Sequence, residues 1–140
     1  MSARITLELV TPERLAFNGE VDFVVLPAWE GEMGVLPGHV PFLVQLKPGE
    51  VRYTDRGQTA CFAVSGGFAE VTRGRVALFA ETAEMSDAID EERARQALER
   101  AKAELQKRNL DSLTLAQAHF ALRRAQVRLQ VAQYRKGRRG

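Results

Sequence analysis

The feature that most constrains the fold is an abrupt change in residue usage near residue 86. All five prolines and nine of the eleven glycines lie before residue 87. Residues 1–86 hold seven basic and eleven acidic residues, a net charge of −4, whereas residues 87–140 hold thirteen and seven, a net charge of +6. Because proline and glycine interrupt helices and mark turns, the two parts call for different architectures. We therefore divide the chain into residues 1–86 and 87–140.

The first part, residues 1–86, is typical of an antiparallel β-sandwich or barrel. Short apolar or alternating runs recur at intervals of roughly eight to ten residues, with turn residues between them. The predicted strands are Ile5–Val10, Val21–Leu26, Phe42–Leu46, Val51–Tyr53, Thr59–Val64, Gly67–Val71 and Val76–Phe79. Asp55–Gly57 and Thr72–Gly74 suit hairpin turns, since glycine adopts positive φ readily. No long helical pattern separates the strands, so parallel βαβ units are not expected.

The second part, residues 87–140, is predicted to form an antiparallel hairpin of two helices. Apolar residues recur at helical spacing within Ala94–Leu105 and again within Ala118–Ala132. The break at Asn109–Ser112 offers Asp111 or Ser112 as the N-cap of the second helix. Alanine dominates both apolar stripes, so the helices approach closely but bury little area. A hairpin held this weakly is suited to move.

The composition argues against several classes of function. Cys61 is the single cysteine and there are two histidines, too few for an internal disulfide or a Cys/His metal cluster. No long apolar run or signal sequence occurs, so we expect an intracellular, soluble protein that does not insert into a membrane. His39 has no evident nucleophile or orienting partner, and a phosphate-binding glycine loop is absent. We expect no catalytic site, no metal and no required cofactor.

The basic C-terminal segment leaves binding of nucleic acid open as a rival function. From Leu113 to Gly140 there are seven basic residues and no acidic one, which suits contact with phosphates or with acidic protein surfaces. The acidic first part and the lack of aromatic residues interleaved with the basic ones argue against nucleic acid. We therefore favour a protein partner.

Three segments resemble the epsilon subunit of bacterial-type rotary F-type ATP synthases. Glu30–Leu43 (EGEMGVLPGHVPFL) resembles the signature loop of that family, and Ser65–Val71 (SGGFAEV) resembles its second sandwich segment. Ile89–Ala94 (IDEERA) matches its nucleotide motif, Ile/Leu-Asp-x-x-Arg-Ala. The resemblance covers essentially the whole chain, in order, and includes the layout of a sandwich followed by a hairpin.

The resemblance implies a non-catalytic central-stalk subunit of a proton-translocating ATP synthase, peripheral on the cytoplasmic face of the cell membrane. Its sandwich would bind the gamma subunit and the ring of c subunits, with Glu32 and His39 at positions that face the ring. Its hairpin would either fold onto the sandwich or extend along the shaft to the alpha and beta subunits. In the extended position Arg123, Arg124 and Arg128 would contact acidic loops of beta and inhibit ATP hydrolysis.

The resemblance further implies ATP as a regulatory ligand that favours the folded hairpin. The matching binding positions are Glu84, Ile89, Asp90, Arg93, Ala94, Arg124 and Arg128. The arginines would donate hydrogen bonds to phosphate oxygens, and the two carboxylates would accept hydrogen bonds from base or ribose. The alternative is that Asp90 simply caps the first helix while Arg93 is solvated.

Overall fold

The structure, a computed structural model, describes residues 3–38, 40–107 and 111–139, with side chains as far as Tyr134. Ten strands come first along the chain: β1 (Ile5–Val10), β2 (Leu15–Val21), β3 (Phe23–Ala28), β4 (Gly31–Val35), β5 (Phe42–Leu46), β6 (Gly49–Asp55), β7 (Gln58–Val64), β8 (Gly67–Thr72), β9 (Arg75–Ala80) and β10 (Ala83–Met85). A single 3₁₀ turn at Ser86–Ala88 then leads into α1 (Glu91–Leu105) and α2 (Ser112–Arg139). The predicted fold class, an all-β part followed by two helices, is confirmed.

The ten strands form one sheet that curls into a nearly closed barrel. Neighbouring strands follow the order β10-β7-β6-β3-β5-β8-β9-β1-β2, and β4 pairs with β3. The described pairs are antiparallel except for β1 with β9, which are parallel and align Leu7 with Val76. At the far end of the sheet β2 comes back over β6, where the rings of Phe17 and Tyr53 lie 4.8 Å apart. This return of β2 brings the two ends of the sheet together around a common interior.

The interior of the barrel is filled by side chains from the strands alone. In β1, Ile5, Leu7 and Leu9 are buried while the residues between them are partly exposed. This alternation is the pattern of a strand that turns one face to a core. The buried residues of this core cluster, and the partly buried ones packed against it, all lie between Ile5 and Met85. Among the described residues, therefore, the helices contribute none to the barrel core.

The strand prediction differs from the structure around β3 and β4. The sequence predicts a strand end at Leu26, but β3 runs through Pro27 to Ala28. Proline is tolerated where the ladder needs no N–H, and the carbonyl of Pro27 still accepts a hydrogen bond from the N–H of Lys47 at 3.0 Å. The glycine-rich segment expected as a loop contains β4, because pairing with β3 outweighs the low strand propensity of glycine. The sequence also does not predict β2 and β10, which lack a clear apolar alternation.

Strand β7 is covered on both of its faces. Phe62 and Val64 belong to the barrel core, whereas Cys61 and Ala63 contact the hairpin. The buried cluster on that outer side, called here the hairpin interface, contains Cys61, Ala63, Ile89, Ala94, Val127, Val131 and Ala132. An unbroken apolar run is what a strand buried on both faces requires. The hairpin of α1 and α2 is thus folded against the outside of the barrel.

Both helices begin at aspartate caps. Asp90 Oδ1 accepts a hydrogen bond from the N–H of Arg93 at 3.0 Å, and Asp111 Oδ1 accepts one from the N–H of Thr114 at 2.7 Å. The second bond favours the charged carboxylate and lowers the pKa of Asp111. Asp111, one of the two predicted candidates, is therefore the N-cap of α2. Asp90 caps α1, which is the alternative to its predicted role in ATP binding.

Gly67 is expected to tolerate no side chain. Its φ is +134°, and a Cβ there would lie 1.9 Å from the carbonyl oxygen of Phe79 in β9. Gly67→Ala should lower the free energy of unfolding by about 3 kcal/mol or more, through backbone strain and displacement of β9, as measured by equilibrium urea denaturation. Gly74→Ala is the control, since nothing lies within 4 Å of its Cβ position. Equal losses in the two variants would contradict the argument.

A fragment of residues 1–86 is expected to fold without the hairpin. Its core cluster is complete, and the residues uncovered on β7 are small, chiefly Cys61 and Ala63. Circular dichroism should show β structure and cooperative thermal unfolding. The control is the same fragment with Cys61→Ser, in which the face of β7 uncovered by removal of the hairpin is less apolar and carries no thiol, so that the fragment associates less with other copies. A fragment that shows no cooperative transition in either form would disprove the independence of the barrel.

Candidate functional site

A cleft of about 700 Å³ lies between the barrel and the hairpin. One wall is the β1–β2 turn, including Thr11 and Arg14, and a second is the segment Glu81–Glu84 that leads into β10. The third wall belongs to the helices, which contribute Ala97, Arg100, Ala101, Ala121, Arg124, Ala125 and Arg128. Most of these helix residues are alanines. Their short side chains leave open space between the longer arginine side chains that also line the cleft.

The cleft concentrates charged side chains of both signs. Its lining includes four arginines and three glutamates: Arg14, Arg100, Arg124, Arg128, Glu13, Glu81 and Glu84. Glu84 and Arg128 pair in a bidentate manner, with Nε 2.7 Å from Oε1 and Nη2 3.1 Å from Oε2. This pair joins the last strand of the barrel to α2. Three arginines and two glutamates remain, so the remaining charge of the cleft is positive.

The three other arginines of the cleft have no carboxylate within 4 Å among the described residues. Arg124 instead lies over the ring of Phe120, 5.4 Å from its centroid, a cation–π contact that helps to position the guanidinium. Elsewhere in the described chain several arginines are paired with acids: Arg4, Arg52, Arg75 and Arg95. Guanidinium groups from three separate elements around one space are suited to an anion with several oxygens.

Three of the seven predicted ATP-binding residues line this cleft. They are Glu84 in β10 and Arg124 and Arg128 on α2. Ile89 and Ala94 lie instead in the hairpin interface, where 8% and 0% of their surfaces are exposed. These two residues therefore support the packing of α1 against the barrel.

The remaining two predicted residues lie at the first turn of α1. Asp90 is engaged with the backbone as a cap, and Arg93 is exposed. Residues three or four apart share a helix face, so Arg93 lies on the face of Ala97 and Arg100, one turn before the cleft. The same spacing could have identified Arg100 from the sequence. Arg14 carries no such signal, because it reaches the cleft from a turn far away in the chain.

The residues predicted to face the membrane ring are only partly described. Glu32 is exposed on β4, where its carboxylate lies 2.8 Å from the guanidinium of Arg52, whereas His39 lies outside the described residues. A groove of about 530 Å³ runs beside Glu32 and is also lined by Trp29 and Leu43. These two apolar side chains are 53% and 68% exposed. Exposed apolar groups beside a charge are typical of a protein-binding surface.

The arginines predicted to inhibit ATP hydrolysis lie in three different settings on α2. Arg123 is exposed and does not line the cleft, Arg124 lines it, and Arg128 is paired with Glu84.

Within the described parts of the chain no group of three or more His, Cys, Asp or Glu side chains is placed to hold a metal ion. None of the described helices is long and apolar enough to cross a membrane.

Comparison with known proteins assigns the chain to a family. The family model described as "ATP synthase, Delta/Epsilon chain, beta-sandwich domain" matches residues 4–86, and the "long alpha-helix domain" of the same chain matches residues 87–133. An ATP synthase epsilon chain of Herpetosiphon aurantiacus is 50% identical over 135 residues, 96% of this chain and 98% of the relative. One of Syntrophobacter fumaroxidans is 46% identical over 95% and 98%. The chain belongs to the ATP synthase delta/epsilon family.

Solved structures agree with this assignment. A chain of the Euglena gracilis mitochondrial ATP synthase, determined as an OSCP/F1/c-ring assembly, superposes with a TM-score of 0.80 at 32% identity, covering 93% of this chain and 81% of that one. A chain from the Tetrahymena thermophila central stalk and c ring covers 96% of both at a TM-score of 0.54, and its 16% identity shows the fold alone. Within the delta/epsilon family the chain stands with the bacterial epsilon chains, which are non-catalytic central-stalk subunits.

The pair of Glu84 and Arg128 is expected to help hold the hairpin on the barrel. The two side chains are 32% and 35% exposed, so their contribution is about 1 kcal/mol. Glu84→Gln should then raise the population with the hairpin released about fivefold. Cys61 is 0% exposed beneath the hairpin, so its rate of labelling by a thiol reagent reports that population.

Glu92→Gln is the matched control for this measurement. It removes an ion pair that lies within α1, between Glu92 and Arg95 at 3.2 Å, and leaves the contact between barrel and hairpin intact. Labelling rates that are equal in the Glu84 variant and the wild type would show that the pair does not hold the hairpin.

Proposed function

We propose that this chain couples rotation of the central shaft to the membrane ring of a proton-translocating ATP synthase, and that its hairpin inhibits ATP hydrolysis when released from the barrel. The observation that carries the proposal is the contrast between the two buried clusters. The barrel core is complete by itself, whereas the hairpin interface has four small residues among its seven and is supplemented by the ion pair of Glu84 and Arg128. A self-sufficient barrel with a weakly held arm suits a platform and a movable regulator.

The partners proposed for the barrel are the gamma subunit and the ring of c subunits. The groove beside Glu32, with the exposed Trp29 and Leu43, supports a protein contact on this side of the barrel. The Euglena relative belongs to an assembly with F1 and a c ring. Within such an assembly the chain would be peripheral on the cytoplasmic face of the cell membrane, and His39 would share the ring contact with Glu32.

The partners proposed for the released hairpin are the alpha and beta subunits. Helix α2 has no acidic residue from Leu113 onward, so it suits the acidic loops of beta. Arg123 is available already in the folded hairpin, but Arg128 must first leave Glu84 before it can contact another acid. The ion pair with Glu84 therefore opposes inhibition, because it keeps Arg128 from contacting the beta subunit.

The ligand proposed for the cleft is ATP, acting as a regulator that favours the folded hairpin. The cleft combines unpaired arginines for phosphate oxygens with carboxylates that can accept hydrogen bonds from base or ribose. Arg93 stands one helical turn beyond the cleft on the same face of α1, within the region that an extended nucleotide would cover. The ligand needs no covalent chemistry and no metal ion for this role.

Arg123→Glu is expected to relieve inhibition while leaving the cleft and the ion pair unchanged. Reversal of an exposed charge replaces an attraction to beta with a repulsion, each worth about 0–1 kcal/mol, so hydrolysis in reconstituted complexes at low salt should rise roughly threefold. Arg73→Glu, an exposed arginine in a barrel turn, is the control for overall charge. Hydrolysis equal to that of the wild-type complex would count against inhibition through α2.

Titration calorimetry with ATP tests the regulatory site. The wild-type chain should bind saturably at millimolar ATP or below, and Arg93→Ala should bind about tenfold more weakly because a charge-assisted hydrogen bond is lost. Arg95→Ala is the matched control, since Arg95 pairs with Glu91 and Glu92 on α1 and does not line the cleft. The absence of saturable heat in the wild type would refute ATP binding, and equal binding by the Arg93 variant would remove Arg93 from the site.

A further inference from the structure

We propose that Arg14, a residue of the barrel, binds the phosphate groups of a nucleoside polyphosphate in the cleft, so that the ligand joins the barrel to the hairpin. This inference rests on the nucleotide binding proposed above and adds a cationic residue of the barrel to a predicted set whose one barrel residue is the acidic Glu84. It also names the physical route by which the ligand favours the folded hairpin.

Arg14 has a fixed backbone and an available side chain. Thr11 and Arg14 close the β1–β2 turn with two backbone hydrogen bonds, at 2.9 Å to the carbonyl of Arg14 and at 3.3 Å to that of Thr11. The Thr11 hydroxyl donates a further hydrogen bond to the Arg14 carbonyl at 3.2 Å. The Arg14 side chain is exposed, lines the cleft and has no carboxylate within 4 Å in the described part of the chain.

Two arginines on the helix wall of the cleft, opposite Arg14, favour a phosphate group placed between the two walls. Arg100 on α1 and Arg124 on α2 face the same space and are not engaged with acids among the described residues. Arg128 is held by Glu84, and so it contributes less to an incoming anion. A chain of phosphates can satisfy several guanidinium groups at once, whereas a single carboxylate cannot span three elements.

The need for a contact with the barrel follows from how a ligand shifts an equilibrium. A ligand favours one conformation only to the extent that it binds that conformation more tightly. Contacts confined to α1 and α2 would stay with the hairpin if it left the barrel as a unit, and they would then favour neither position. Among the described residues that the barrel contributes to the cleft, Arg14 is the cation; the charged others are Glu13, Glu81 and Glu84.

The glutamates of the barrel wall make a second observation that can be tested. Glu13 lies beside Arg14 in the turn and would repel a phosphate at the same place. Its replacement by a neutral side chain of similar size should strengthen phosphate binding, opposite in sign to the loss of Arg14. A pair of neighbouring substitutions with opposite effects on affinity identifies a local charge contact with the ligand and not a general loss of structure.

The experiment measures binding of ATP and of inorganic tripolyphosphate to the full chain by calorimetry. Arg14→Ala is expected to weaken both ligands about tenfold, since one charge-assisted hydrogen bond to phosphate is lost in each case. Glu13→Gln should strengthen both. Arg73→Ala, an exposed arginine in the β8–β9 turn, should change neither. The rate of Cys61 labelling should be unchanged by Arg14→Ala without ligand, and protection by ATP should be lost.

The outcomes separate this inference from the function on which it rests. If the wild-type chain binds no ATP, both the regulatory site and the role of Arg14 are refuted. If the wild type binds ATP and Arg14→Ala binds it equally well with the same protection of Cys61, Arg14 is not a ligand residue while nucleotide binding stands. If Arg14→Ala speeds labelling of Cys61 without ligand, Arg14 holds the hairpin directly and the inference is wrong.

Discussion

Burial of β7 on both of its faces joins the two parts of the molecule. Phe62 and Val64 pack into the barrel, and Cys61 and Ala63, which alternate with them along the strand, face outward under the hairpin. A strand with two apolar faces needs a cover on each side, because otherwise its outer face would remain in contact with water. The hairpin supplies that cover, and its position over β7 also sets the shape of the cleft. Both the interface and the candidate ligand site therefore depend on this one strand.

The side chains on the two faces of β7 differ in size, so the two contacts stabilise the molecule to different extents. Full burial of a Leu or Phe side chain stabilises a fold by about 1.5–3 kcal/mol, and alanine contributes much less because it has less surface to bury. The barrel core holds Leu7, Leu26, Phe62 and Leu78, whereas the larger side chains of the hairpin interface are Ile89, just before α1, and Val127 and Val131 on α2. The hairpin can leave without loss of the barrel core.

Much of the fold could be predicted from the sequence, because periodicity and capping act locally. The alternation in β1 points to a strand, and the break before α2 narrows its N-cap to Asp111 or Ser112, of which the structure shows Asp111. β4 could not be predicted, since its glycines disfavour a strand until β3 supplies hydrogen bonds. The site was harder still. Arg100 follows Arg93 at helical spacing, but Arg14 enters the cleft only because the fold brings the β1–β2 turn to the same space as α1 and α2. No local sequence pattern predicts that Arg14 lies near the two helices.

Charge is the part of the contact between hairpin and barrel that responds most to salt and to an anionic ligand. The apolar part of the hairpin interface is the same whatever the salt or ligand concentration, so it cannot by itself signal anything. The pair of Glu84 and Arg128 contributes about 1 kcal/mol and weakens as ionic strength rises. A ligand present at ten times its dissociation constant stabilises the bound state by about 1.4 kcal/mol. These two quantities are similar in size, so an anion bound to both the barrel and the hairpin would stabilise the folded hairpin about as much as the ion pair does.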